Sequence, residues 1–413
     1  MYALSPRALL LILVFSLCNL GFGIAALPLQ PPEASIAGAA LASTTAPLAR
    51  GMVPPEGISI LFWIDRLSAE AFGAFPYAVR LPGILFSLLA TVVTARGAAH
   101  FFGERAGMWT GVMMAASLFL GVFGKSATDG PLWMLLSSVA LIAFARQRYR
   151  LAYACVALCG VAFGLWGMAF PILAMLIALI FTGDIARLFH IRLGQGIIII
   201  VLLLLPWFAA MHHLLGNNFL PAIMARIIAE GTNVFPYQTE WYFVFIAFLA
   251  LVFPWTGALL QAIYEGTHEE GDRGHELMFF VAWLFAAGIF LLLSPSHPIA
   301  HILLAAPPAF IVIGAYVANR EENYADRFGS WSLGNGYFFL LAGLGFSVGT
   351  LGIASVADVG FAVGVALLML GILISVTLYV WHRFIAAMWL TVASGLFITF
   401  MLFTMILPQV ASK

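Results

Sequence analysis

Apolar runs of eighteen or more residues recur from end to end of the chain, separated by short clusters of arginine, glycine, proline and acids. A helix of that length crosses the hydrocarbon core of a bilayer. Thirteen spans fit the pattern, at 8–27, 81–99, 107–123, 130–145, 151–166, 169–183, 194–213, 241–263, 276–294, 299–317, 333–354, 359–380 and 384–407. The stretch 151–183 is apolar throughout and too long for one ordinary span. Gly164, Trp166, Gly167 and Pro171 supply a break, which predicts two helices joined by a tight turn. The first apolar stretch is longer than the core of a signal peptide and reads as a retained helix. Two longer polar segments, 28–80 and 214–240, contain amphipathic stretches, Ile58–Phe72 and Phe219–Ile228, suited to helices lying in the interface plane.

Charge orients these spans. Of sixteen arginines and two lysines, twelve fall on one side when the N-terminus is cytoplasmic: Arg7, Arg96, Arg105, Arg146, Arg148, Arg150, Arg187, Arg192, Arg273, Arg320, Arg327 and Arg383. Six fall on the other: Arg50, Arg66, Arg80, Lys125, Arg226 and Lys413. The excess follows the positive-inside rule, whereas one span over 151–183 would invert every later loop. The C-terminus then lies on the outer side. The acidic insert from Glu265 to Glu276 reads as a solvated inner loop. With 63% hydrophobic and 9% charged residues, the chain is no soluble domain, and zero net charge argues against a nucleic-acid footprint. The fold class is an all-α polytopic bundle. Residues 1–317 form a core, residues 318–413 add C-terminal helices, and no soluble C-terminal domain is expected.

Ionisable groups at the outer membrane face are costly to keep there, so each is a candidate. Glu33 follows Pro31-Pro32 and Glu56 follows Pro54-Pro55. Either could act as a general base on an acceptor hydroxyl or phosphate, or be a solvated interfacial acid. Lys125 and Asp129 are four apart in Gly124–Gly130, so they form a salt bridge on one helix, or Lys125 holds a phosphate while Asp129 orients a sugar or acceptor. Arg80, before Leu81-Pro82, is a snorkelling anchor or a phosphate-binding fork, and Arg226 has the same two readings. His297 and His301 are spaced for two metal ligands if their turn is helical; otherwise they are polar lining of an outer cavity. Cys155 and Cys159, four apart, suit a metal by spacing and small buried hydrophobes by surroundings. No Walker loop, dinucleotide fingerprint or Ser-His-Asp motif is present, which points to substrates drawn from the membrane and no nucleotide. The scarcity of charge within the spans and the lack of an inverted repeat count against a coupled transporter.

Several pieces together resemble the GT-C membrane glycosyltransferases, in the branch of the lipid A aminoarabinose transferases and protein O-mannosyltransferases. In order they are Pro54-Pro55, Phe62-Trp63, Phe72-Gly73, Val79-Arg80-Leu81-Pro82, the segment Phe102 to Gly107, Thr128-Asp129, Leu205-Pro206-Trp207-Phe208, Trp241-Tyr242, Phe253-Pro254-Trp255 and the segment Ser294 to Pro308. The resemblance implies transfer of a sugar from a polyprenyl-phosphate donor to a lipid or envelope glycan. Glu33 and Asp129 then stand at the acidic positions and Arg80 at the loop-closing arginine, while Lys125, Glu56, Arg226, His297 and His301 become substrate-binding candidates. A divalent metal is left open, with no ligand set assigned. The chain also departs from the family pattern. The family's Asp-Glu pair reads Pro32-Glu33, with Ser35 where an arginine is expected; Met52-Val53 replaces Glu-Lys; lysine-bearing turns read Trp166-Gly167-Met168 and Pro295-Ser296-His297-Pro298; and no metal-binding histidine stands near Ile223. These losses define an alternative: a catalytically inactive relative that binds lipid or serves as a subunit of an envelope complex.

Overall fold

The computed structural model describes residues 4–24, 59–73, 75–221, 223–224, 248–249, 251–268, 271–293, 299–322, 357–379 and 384–403. The chain starts with α1 (Pro6–Gly21), capped by Ser5, whose Oγ accepts the Ala8 amide at 3.3 Å. The predicted amphipathic stretch is helical as α2 (Ile60–Phe72) and lies against α3 (Pro76–Phe102). Its N-cap Ser59 accepts the Leu61 amide at 3.2 Å and donates to the Ala162 carbonyl at 2.6 Å. One hydroxyl thus starts the helix and docks it on the bundle.

The third predicted span is broken into α4 (Glu104–Ala115) and α5 (Leu118–Phe123). A break within the membrane strands backbone groups unless the protein satisfies them. Here the fully buried Asn19 does so, its Nδ2 donating to Ala115 O at 2.8 Å and Ser117 O at 2.9 Å. The Ser117 hydroxyl in turn donates to Leu251 O at 3.0 Å.

Next come α6 (Asp129–Ala145) and α7 (Tyr149–Phe181). At about 1.5 Å per residue a straight α7 would run about 50 Å, well beyond the roughly 30 Å hydrocarbon core. It does not run straight. Gly164 has φ 69° and ψ −151°, a conformation essentially confined to glycine, and the chain reverses there. The two ends of the segment therefore meet. Arg187 Nη2 donates to Phe144 O at 3.1 Å and its Nε to the Tyr149 hydroxyl at 3.1 Å, while Tyr153 Oη donates to Ile191 O at 2.9 Å. The predicted hairpin is the observed one.

After a 3-10 turn (Ile185–Phe189), α8 (Leu193–Leu215) leans on α7. Further helices among the described residues are α9 (Thr256–Gly266), α10 (Asp272–Leu293), a 3-10 helix (Ile299–Ala305), α11 (Ala306–Glu322), α12 (Ala357–Tyr379) and α13 (Phe384–Met401). From His301 to Glu321 the apolar window is wholly buried, and α11 forms the axis of the core against α3, α4, α9 and α10. The window beginning at Leu193 is almost wholly exposed, with Leu202 and Leu205 pointing outward. A helix apolar all round is buried in protein or faces lipid; α11 does the first and α8 the second. The molecule is a polytopic helical membrane protein, and no strand occurs among the described residues. The predicted span 333–354 and half of Phe219–Ile228 lie outside the described residues.

The two ends of the bundle sort as the charge pattern requires. At one end Ser5 N–H donates to Glu104 Oε1 at 3.1 Å, Trp109 Nε1 donates to Glu321 Oε2 at 2.9 Å, and His275 Nε2 lies 3.1 Å from Asp184 Oδ2. Arg320 pairs there with Glu265, so this acid is bound to the bundle and not merely solvated as the sequence suggests. Residues of the predicted inner loops meet one another, and those of the outer loops meet at the opposite end.

Candidate functional site

The end that holds the predicted outer loops is organised by the C-terminus of α1. A helix leaves its last carbonyls without intrahelical partners, and cations are favourable there. Two fill this role. Lys125 Nζ donates to Phe22 O, and Arg80 Nη1 donates to Ile24 O at 2.8 Å. Both side chains are nearly inaccessible, with residue exposures of 4% and 5%. Arg80 is therefore no snorkelling anchor; its guanidinium points into the protein from the second turn of α3.

The turn carrying Lys125 is held in place by local chemistry. Ser87 Oγ donates to Gly124 O at 2.6 Å, and Ser126 Oγ donates to Phe123 O at 2.7 Å. Gly83 of α3 permits the contact, because a Cβ at that position would fall 2.5 Å from Ser126 O. The Lys125 ammonium also stands 3.3 Å from the centroid of the Phe403 ring, so the segment just past α13 closes the site from the other side. Burial, and then repulsion from Arg80, push the Lys125 ammonium down to about 7 from its ordinary 10.5. A buried cation beside a second cation is stabilised by any anion that enters.

Asp129 opens α6, directly after its N-cap Thr128. Lys125 lies before that cap, in a turn, so the two are not neighbours on one helix face. The i,i+4 helical pairing is thereby excluded. Half-buried Asp129 sits where the helix dipole favours a negative charge. Thr128 Oγ1 is 2.8 Å from Ser126 Oγ, tying this helix start to the lysine turn. The structure thus gathers Arg80, Lys125 and the start of α6 around the end of α1.

His301 belongs to a neighbouring cluster. It lies in the 3-10 helix, buried, with its ring edge-on to Trp133 at 4.9 Å between centroids. Trp133 stacks on Phe163 at 5.2 Å, and its Nε1 donates to Gly167 O at 3.2 Å, joining α6 to the hairpin turn. Glu33, Glu56, Arg226 and His297 lie outside the described residues. Among the described residues no three His, Cys, Asp or Glu side chains gather as a metal site, and Cys155 and Cys159 are simply buried.

Sequence reasoning passed over Asn19, Ser59 and Asp65. Asp65 is fully buried in α2, on the face that carries Leu61, Phe62 and Ala69. The signal was present, since positions 61, 62, 65, 66 and 69 fall on one side of a helix. Beside Asp65, Arg66 pairs with Glu70 at 2.7 Å and lies over Trp63 at 5.4 Å.

Comparison with known proteins bears on this arrangement. The family model described as dolichyl-phosphate-mannose-protein mannosyltransferase matches residues 59–209. An undecaprenyl phosphate-alpha-4-amino-4-deoxy-L-arabinose arabinosyl transferase of Yersinia pestis is 26% identical over 283 residues, covering 64% of this chain and 50% of that protein. The corresponding Yersinia enterocolitica protein is 25% identical over 318 residues, covering 70% and 55%. The chain thus spans about half the length of the curated relatives it matches. The crystal structure of ArnT from Cupriavidus metallidurans bound to undecaprenyl phosphate superposes over 98% of this chain and 77% of its own, with a TM-score of 0.75 at 18% identity. The arabinosyltransferase EmbB from Mycobacterium smegmatis matches over 96% of this chain and 41% of its own, with a TM-score of 0.57 at 12% identity. The fold is that of the GT-C membrane glycosyltransferases, and the sequence is similar to the aminoarabinose transferase and protein mannosyltransferase branch.

Proposed function

We propose that this protein transfers a sugar from a polyprenyl-phosphate carrier to a lipid or envelope glycan, such as a lipid A-type glycolipid, at the outer face of a bacterial inner membrane. In this reading the N-terminus is cytoplasmic and the C-terminus periplasmic. One observation supports it above all: two buried cations, Arg80 and Lys125, converge at the outer end of a fold whose neighbour was captured with undecaprenyl phosphate. Such a pair is suited to the phosphate of a lipid carrier, which gains negative charge as it leaves.

In the proposed step an acceptor oxygen attacks the anomeric carbon of the donor sugar. The bond from that carbon to the phosphate oxygen breaks, and polyprenyl phosphate departs carrying the bonding electron pair. Glu33 takes the proton when the acceptor is a hydroxyl, Asp129 orients sugar or acceptor, and Arg80 with Lys125 stabilises the departing phosphate. Glu56, Arg226, His297 and His301 are assigned to the substrate walls. The donor ester carries its own activation, so no nucleotide enters the scheme.

The test is transfer of radiolabelled sugar in vesicles holding defined polyprenyl-phosphate donors and extracted envelope lipids. Glu33→Ala should lower turnover by about 10²–10⁴-fold, the range of a general base. Asp129→Asn should lower it as well, with protein abundance unchanged. Full activity in both variants would disprove the assignment of the site.

A further inference from the structure

We infer that the cavity at the opposite end of the bundle, between α7 and α8, binds the phosphate headgroup of an anionic glycerophospholipid in the inner leaflet. The cavity has a volume of about 570 Å³, and its lining includes Arg148, Arg150, His190 and Arg192 with Gln147 and Gln195. It is open, and all six of these side chains are exposed to it or to solvent. No acidic residue is in the lining. Three guanidiniums around one concave space repel each other, and their planar forks match a phosphate.

The backbone adds to this field. Arg148 is the N-cap of α7 and Arg192 the N-cap of α8, and neither side chain bonds to its own first-turn amides. First-turn N–H groups and the positive ends of two helix dipoles therefore open on the same cavity, a polarity that suits an anion. The backbone is also held in an uncommon form here. Among the described residues two non-glycine positions have positive φ, Gln147 at 58° and Arg192 at 55°, and both line this cavity. Left-handed backbone at non-glycine residues persists where the surroundings fix it, and it gathers at ligand sites.

The neighbourhood favours a lipid over a free anion. Apolar side chains stand exposed beside the basic lining: Leu151 on α7, Leu193 and Ile197 on α8, and Phe189, 89% exposed, on the intervening turn. A headgroup seated among the arginines would lay its acyl chains along these residues. Basic pockets between spanning helices at the cytoplasmic face suit anionic lipid headgroups. The cavity lies at the arginine-rich end of the bundle, away from Arg80 and Lys125, so its occupancy is separable from the proposed transfer site.

Mass spectrometry of the intact full chain released from detergent micelles tests this, with phosphatidylglycerol, phosphatidylcholine, polyprenyl phosphate and inorganic phosphate as separate probes. Phosphatidylglycerol should bind stoichiometrically and at least about tenfold more tightly than phosphatidylcholine, the margin of one charge-assisted contact. The double variant Arg148→Gln, Arg192→Asn should lose about tenfold or more. Arg148→Lys, Arg192→Lys should stay within a few-fold of the parent, and Arg96→Gln, an exposed arginine on α3, should not change. Equal lipid affinity in the double variant and the parent would overturn the inference, as would an equal loss in the lysine variant. Preference for polyprenyl phosphate or for inorganic phosphate over phosphatidylglycerol would overturn it too.

Discussion

Lys125 shows how much a single residue's meaning depends on its surroundings. In the sequence it is one of two lysines, four residues before an aspartate. In the fold it bonds the carbonyl of Phe22, the cap of α1, beside Arg80, with its ammonium held at about 7 by burial and by that arginine. The sign of the pH effect follows. Between about 7 and 10.5 the unfolded chain binds more protons than the folded one, so this residue makes the free protein more stable as pH rises. A phosphate entering beside it restores the charge, so binding takes up a proton. Affinity for polyprenyl phosphate should therefore fall as pH rises above about 7, by at most tenfold per pH unit for one proton. Calorimetric titration across that range checks this, and Lys125→Arg should flatten the dependence, because a guanidinium stays charged. Asn19 carries a similar lesson. Its spacing in an apolar run says nothing of the two carbonyls it satisfies, since those belong to a helix break nearly a hundred residues away.

Among the elements, the hairpin at 149–181 decides the topology. Its length and its Gly164-Trp166-Gly167-Pro171 break were legible, because a bilayer has a fixed thickness and glycine and proline interrupt helices. The conformation of Gly164 was not, since a glycine in an apolar run is as compatible with close helix packing as with a reversal. Gly164→Val would force a side chain into a region that suits glycine almost alone, at a cost of about 1–3 kcal/mol. A lower thermal midpoint and faster proteolysis at the hairpin are expected; an unchanged midpoint would mean that the turn tolerates a Cβ. The 3-10 character of Ile299–Ala305 was equally hidden. His301 lies within it, held by the tertiary contact with Trp133.

For the whole molecule, sidedness is the property most open to test. Twelve positive residues against six, counted along the chain, sort the loops, and the contacts between loops agree: Ser5 meets Glu104, Trp109 meets Glu321, and Arg187 meets the end of α6. With Cys18 replaced by serine, cysteines placed at Arg150 and Phe189 should react with an impermeant thiol reagent from the same side of the membrane. A cysteine at Leu67, exposed on α2, should react from the other side. Labelling of positions 189 and 67 from one side would refute the hairpin and the orientation together.

The sequence by itself determined the solvent, the long apolar helices, the break within 149–181 and the ordered motifs that resemble those of GT-C proteins, because hydropathy and bilayer thickness act locally and add along the chain. It also marked Arg80, Lys125 and Asp129 as costly charges at a membrane face. Only the tertiary structure decided that Arg80 and Lys125, 45 positions apart, share the end of α1, that Lys125 and Asp129 occupy a turn and a helix start, and that three arginines and two helix N-termini surround one cavity at the far end. Each of these depends on close approach between segments remote in sequence, and a hydropathy pattern fixes which face of a helix is apolar without fixing which neighbour it meets.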